Sequence, residues 1–214
     1  MLTQWQHGLE SPDLGHGALA IFAQSVVAVG AARAKVQIAG PAIVMGCLGI
    51  EAHEAVARCL AYADALAKAL PVQVVVQWDE PALGGASGEQ LAALARCVEA
   101  TRASGRETWV HCCGALDWEQ VRAVQPDCWS VDPWLTAPPP YRIARIALGV
   151  VPTDNSASVS DCVVHGRRWL ADAGVTRVVL TPACGLGLRT EALADSVLRT
   201  LKDVAAHFGD EPAS

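Results

Sequence analysis

The chain predicts an α/β fold of the (β/α)8 TIM-barrel type that lacks its first two strands. Strand-like and helix-like segments alternate along most of its 214 residues. Several strand-like runs are short and continuously apolar, as parallel strands covered on both faces are. Hydrophobic residues make up 52% and charged residues 18%, which suits such a doubly covered sheet.

The elements follow in order. Thr3 to Gly17 reads as a loop and Ala18 to Arg33 as a helix. Lys35–Ile38 is the first strand, and the Ala- and Leu-rich stretch Glu51–Leu70 is a helix that Pro71 ends. Val72–Trp78 is the second strand. Ser87-Gly88-Glu89-Gln90 is a capping box opening a helix that leads to the strand Thr108–Cys112. Asp117-Trp118-Glu119-Gln120 predicts another capped helix before the strands Cys128–Val131 and Ile143–Val151. Ser158 to Ala173 is helical with Gly174 as its C-terminal cap, and Arg177–Leu180 is the sixth strand. Thr190 caps a last helix running to about His207, with Gly209 beyond it.

Strand–helix–strand repeats imply right-handed crossovers and a parallel sheet. Two further βα units would need roughly 60 residues, more than the segment before Lys35 supplies. The expectation is therefore about six βα units in a single barrel domain over 1–214, with 1–34 an N-terminal loop and helix and 35–207 the βα core. Pro138-Pro139-Pro140 is a rigid loop. An incomplete sheet leaves strand edges beside Lys35–Ile38 and Arg177–Leu180, a liability that calls for cover. Residues 1–34, a second copy of the chain or a completing subunit would supply it; a fragment of a longer gene is the alternative.

Composition also excludes. Net charge is −6 without any Lys/Arg cluster, so nucleic acid and anionic membrane are poor partners. No signal pattern opens the chain, and no apolar run reaches the ~20 residues of a membrane helix. The spacing of the 8 Cys is unlike a secreted disulfide framework, so reduced thiols in the cytoplasm are expected.

Chemistry is concentrated at the ends of two apolar runs, Thr108-Trp109-Val110-His111-Cys112-Cys113-Gly114 and Arg177 to Gly185. His111, Cys113 and Cys184 thus fall at the carboxyl ends of strands, where (β/α) barrels keep their active sites. One imidazole and two thiolates suit Zn²⁺, which takes soft and borderline ligands in a tetrahedron. With a position left open, such an ion can hold a substrate thiol as a nucleophilic thiolate. Free Cys is otherwise a small buried hydrophobe, the reading for Cys47, Cys59, Cys97, Cys112, Cys128 and Cys162. His7, His16, His53, His165 and His207 read as surface or packing residues, while Trp78, Trp129 and Trp134 flank the proposed mouth.

Several blocks resemble the catalytic barrel of cobalamin-independent methionine synthase. They are Gly40-Pro41, Gln77-Trp78-Asp79-Glu80-Pro81-Ala82-Leu83, His111-Cys112-Cys113, Leu148-Gly149-Val150 and Pro182-Ala183-Cys184-Gly185-Leu186, in the family's order over residues 35–190. The D-E-P-A-L and P-x-C-G-L blocks are the specific ones. The nearest likeness is to short, single-barrel actinobacterial relatives, within a superfamily that includes uroporphyrinogen decarboxylase.

The resemblance implies that His111, Cys113 and Cys184 bind zinc and that Asp79 binds the homocysteine amino group. The family's fourth ligand is a Glu, and Asp132, one methylene shorter, stands in its place. The family's folate-binding Glu is replaced by Gly85, and its proton-donor His by Thr153 or Asp154, which makes Asp154 the candidate catalytic acid. No counterpart of the homocysteine-gripping I-G-S segment occurs in residues 1–34. Arg189 matches a family Arg after the last Cys and could pair with a carboxylate or phosphate. The expected function is zinc-dependent methyl transfer to a thiol, homocysteine foremost, in methionine biosynthesis, from a methylfolate or a methylated corrinoid protein. The alternative is a catalytically degenerate barrel that binds or regulates a partner. A porphyrin-type decarboxylase would want a basic pocket that this sequence lacks.

Overall fold

The computed structural model describes residues 17–209; the loop expected at Thr3 to Gly17 falls almost wholly outside them. The elements are α1 (Gly17–Ala28), β1 (Arg33–Ala39), α2 (Pro41–Leu48), α3 (Ala52–Ala69), β2 (Gln73–Asp79), α4 (Gly88–Ala103), β3 (Glu107–Cys112), β4 (Cys128–Val131), β5 (Arg145–Val151), α5 (Val159–Ala173), β6 (Arg177–Pro182) and α6 (Glu191–Gly209). The six strands lie in sequence order, β1-β2-β3-β4-β5-β6. That is the connectivity of an incomplete (β/α) barrel.

The described residues divide into two compact units, 17–110 with Arg122–Asp127, and His111–Val121 with 128–209. In the first, β1 pairs in parallel with β2, from Arg33 opposite Gln73 to Ala39 opposite Asp79. Val74, Val75, Val76 and Trp78 of β2 are buried, with Gln77 between them, so both faces of this strand are covered. The α3 helix turns Ala52, Ala55, Cys59, Ala63 and Leu66 inward at helical spacing. Ser87 and Gln90 close the expected capping box of α4. The Asp127 carboxylate, ahead of β4, accepts from Thr108 N at 2.8 Å.

In the second unit β4, β5 and β6 are parallel neighbours. Ile146, Ala147, Leu148, Val150 and Val151 form a fully buried strand. Cys162, Gly166, Trp169 and Ala173 line the inner face of α5, which Ser158 and Asp161 cap at one end and Gly174, at φ 57°, ends at the other. Thr190 Oγ1 accepts from Leu193 N at 3.3 Å, capping α6 as expected.

Three local expectations differ. The first helix stops at Ala28 instead of Arg33, because Gly30 turns the chain at φ 64° and Arg33 already belongs to β1. Asp117 Oδ1 does accept from Glu119 N and Gln120 N, but only turns follow. Pro126 lies nine residues on and disfavours helical backbone at Gln125, so little room remains for a helix. Conversely, α2 was not foreseen, although Pro41 at its first turn and Gly49 at its left-handed cap, φ 64°, are its ordinary punctuation. Among the described residues no helix is long and apolar enough to cross a membrane.

Candidate metal centre

His111 is the penultimate residue of β3 and is buried. Nδ1 lies 3.0 Å from Ser130 Oγ on β4. Nε2 is buried and has no hydrogen-bond partner. An imidazole fixed at one nitrogen and bare at the other is the usual preparation of a metal ligand. Cys113 follows two residues later, and side chains two apart on an extended chain share a side. The intervening Cys112 is buried elsewhere, its Sγ 3.5 Å from Gly114 O.

Cys184 comes from the end of β6. Ala183 N donates to Val151 O at 2.9 Å, which ties this segment to β5. The approach needs Gly149: a Cβ there would stand 2.5 Å from Ala183 Cα and 3.1 Å from Val131 O. The ligand atoms of His111, Cys113 and Cys184 all lie within 4.8 Å of one another, a group that could hold a metal ion. Their chemistry fits zinc: one nitrogen and two sulfurs converge, and the buried Nε2 lacks any other partner. The two thiols share a proton unequally. Cys113 and then His111 hold Cys184 down to about 4, while its contact with Cys184 and burial push Cys113 up.

Asp132 lies next to this group but outside it. Its Oδ1 accepts from Trp134 N at 2.9 Å, and its carbonyl accepts from Leu135 N and Thr136 N, so it organises the turn after β4. Burial raises its carboxyl above the usual range, with the Trp134 N–H opposing. Asp154 is fully exposed, and hydrogen bonds from Ser156 hold it below the usual carboxylate range. Arg189 donates to Thr153 Oγ1 at 2.8 Å, which is what occupies it here.

Of the three indoles expected at the mouth, Trp78 and Trp129 are core residues and only Trp134 is substantially exposed, at 38%. His165, read from sequence as a packing residue, stacks on Trp134 with ring centroids 4.0 Å apart and donates from Nε2 to Pro133 O at 3.0 Å. Its position ahead of the i+4 Trp169 gave no sign of that partnership.

Asp79 ends β2 in the first unit and accepts from Gln77 Nε2 at 2.7 Å. Beside it Glu80 is buried, accepting from Ala42 N at 2.7 Å and Ile43 N at 3.1 Å at the start of α2. Burial pushes Glu80 up to about 7 against these two N–H groups, from an ordinary 4.5. Between those values the folded chain keeps a proton the unfolded chain has released, so stability falls as pH rises through the window. The full effect is roughly 3 kcal/mol. Urea midpoints are therefore expected to drop from pH 5 to pH 8, and Glu80→Gln should flatten that slope.

No protein-family model matches the sequence, and no curated protein matches it. Solved structures do. A B12-independent methionine synthase from Shewanella sp. W3-18-1, in complex with selenomethionine, is similar with a TM-score of 0.63 at 19% identity, over 82% of this chain and 62% of that one. A putative vitamin-B12 independent methionine synthase from Listeria monocytogenes gives 0.54 at 14% identity, over 79% and 63%. At these identities the likeness is one of fold. The chain spans less than two thirds of either structure's length.

Proposed function

We propose that the protein is a zinc-dependent methyltransferase whose acceptor is a thiol, homocysteine foremost. The observation that carries this is the convergence of Cys113, Cys184 and the unpartnered His111 Nε2 within 4.8 Å. Fold likeness to methionine synthases, one with selenomethionine bound, supports the same class of acceptor and product. Zinc bound by His111, Cys113 and Cys184 would keep an incoming thiol deprotonated and nucleophilic at neutral pH. Ser130 holds the His111 ring by its other nitrogen, fixing its orientation before any ligand arrives. Gly149 lets the Ala183–Cys184 segment close on β5, bringing the second thiol to the first. Asp79, on the resemblance alone, is the candidate for the acceptor's ammonium.

Zinc-replete expression should yield about one zinc per chain by elemental analysis, as one four-coordinate site requires. Methionine should then form from homocysteine with a suitable donor and stop when the metal is chelated. A metal-free protein after such expression would overturn the reading.

A second reading, a partner-binding barrel without catalysis, is favoured by one observation. The α1 helix and the turn after it leave Ile21, Val27 and Val29 more than half exposed. A stoichiometric partner on pull-down, with no methyl transfer from any donor, would decide for it.

A further inference from the structure

Beside the metal centre, in the second unit, lies a cavity of about 450 Å³ whose lining includes Asp132, Trp134, Leu135, Pro152 and Asp161. It contains two carboxylates and an indole, and no Lys or Arg. Asp132 ties it to the cluster through the chain, two residues after Ser130, whose hydroxyl lies 3.0 Å from His111 Nδ1. The Asp132 side chain is 9% exposed, and beyond the Trp134 N–H bond to Oδ1 it takes no hydrogen bond from a described residue. Trp134 is fixed on three counts: its N donates to Asp132, its Nε1 donates to Val150 O at 3.1 Å, and its ring stacks on His165. Asp161 accepts from Ser158 N and Oγ, which keep it ionised. Arg189 is engaged with Thr153, and Arg168 lines the adjoining cavity on the other side of Trp134 and Leu135; neither is part of this lining.

We propose that this cavity takes an onium methyl donor, a sulfonium or quaternary ammonium compound. The inference rests on the methyltransferase reading and names its second substrate. A buried carboxylate with a spare oxygen, a second carboxylate and a preorganised indole are the groups that recognise a methylated cation. A methylfolate brings no fixed positive charge at its methyl-bearing atom to set against Asp132 and Asp161. The step balances without an oxidant or reductant. The acceptor thiol first gives its proton to solvent, and the thiolate's electron pair forms the new S–CH₃ bond. The pair of the breaking CH₃–S⁺ or CH₃–N⁺ bond stays with the departing atom, which leaves as a neutral thioether or amine. Loss of the positive charge weakens its hold on the carboxylates and favours release.

The test is calorimetric titration of the zinc-replete protein with S-methylmethionine, S-adenosylmethionine, glycine betaine, methyltetrahydrofolate and methylcobalamin, beside assays of methionine formation with each. At least one onium compound should bind and donate its methyl group, and which one does distinguishes sulfonium from ammonium. Leu135→Arg places a cation in the lining at a side chain that is 57% exposed, so the fold is spared, and should weaken onium binding at least tenfold. Asp132→Asn should do likewise while zinc content holds. Absence of onium binding, or an affinity that Leu135→Arg leaves unchanged, would overturn the inference. Methyl transfer from methylfolate or methylcobalamin alone would overturn it too while leaving the methyltransferase reading intact. A zinc-loaded protein that transfers methyl from no donor would remove both.

Discussion

Cys184→Ser and Cys113→Ser should each purify with little or no zinc. Structural zinc sites are worth about 10–16 kcal/mol over four ligands, so one thiolate contributes on the order of 3 kcal/mol, roughly a hundredfold in affinity. Serine supplies a hydroxyl where the site needs a soft anion. Cys112→Ser is the matched control: its side chain is buried with Sγ 3.5 Å from Gly114 O and is not in the ligand group, so the metal should stay. Asp132→Ala should keep most of the zinc, because that carboxylate holds the Trp134 turn and stands outside the ligand group. Ser130→Ala should weaken binding about 10–100-fold by releasing His111 Nδ1. Elemental analysis with chelator competition across the five variants is the measurement. Equal zinc in the Cys112 and Cys184 variants would mean the thiols are packing residues.

Gly149→Ala should damage both stability and the metal site. The added methyl would sit 2.5 Å from Ala183 Cα, closer than backbone atoms tolerate, and 3.1 Å from Val131 O. Neither contact is with a flexible side chain, so β5 or the Ala183–Cys184 segment must move. Overpacking of this kind costs typically 1–3 kcal/mol, or about 2–10 °C in Tm for a chain of this size. Because the displaced segment carries Cys184, zinc affinity should fall with it. Gly46→Ala offers the opposite sign: it lies within α2 with nothing near a new Cβ, and alanine there should add about 1 kcal/mol. Thermal melts with and without chelator separate the two effects. A Gly149→Ala protein that melts like wild type and keeps its zinc would refute the close-packing argument.

The strands were the legible part of the fold. Cys128–Val131 is found as read, and the other five runs differ only by a few terminal residues, because burial on both faces demands continuous apolar residues that stand out in a sequence. The capping box was reliable where apolar periodicity followed, as at Ser87. At Asp117 the same signal produced a turn, since a cap nucleates a helix that Pro126 left no room to extend. The helix α2 escaped because its eight residues are too few to show a period.

For the candidate site, sequence alone named His111, Cys113 and Cys184, because residue types that bind soft metals at strand ends are rare enough to be informative. Spacing also separated Cys112 from Cys113, since successive side chains of a strand point to opposite sides. What only the tertiary structure decided are relations between segments distant in sequence. Cys184 comes within 4.8 Å of ligand atoms on a different strand because Gly149 lacks a side chain. Ser130 leaves His111 with one bare nitrogen, and Asp132, one methylene shorter than the family's Glu, gives one oxygen to the backbone of its own turn and stands outside the ligand group. Trp78, Trp129 and Trp134 look alike in a sequence, but burial assigns the first two to the core and leaves the third at the cavity. A sequence fixes which groups are available and on which side of an element they lie; which of them meet is set by close packing, where a single missing Cβ decides the outcome.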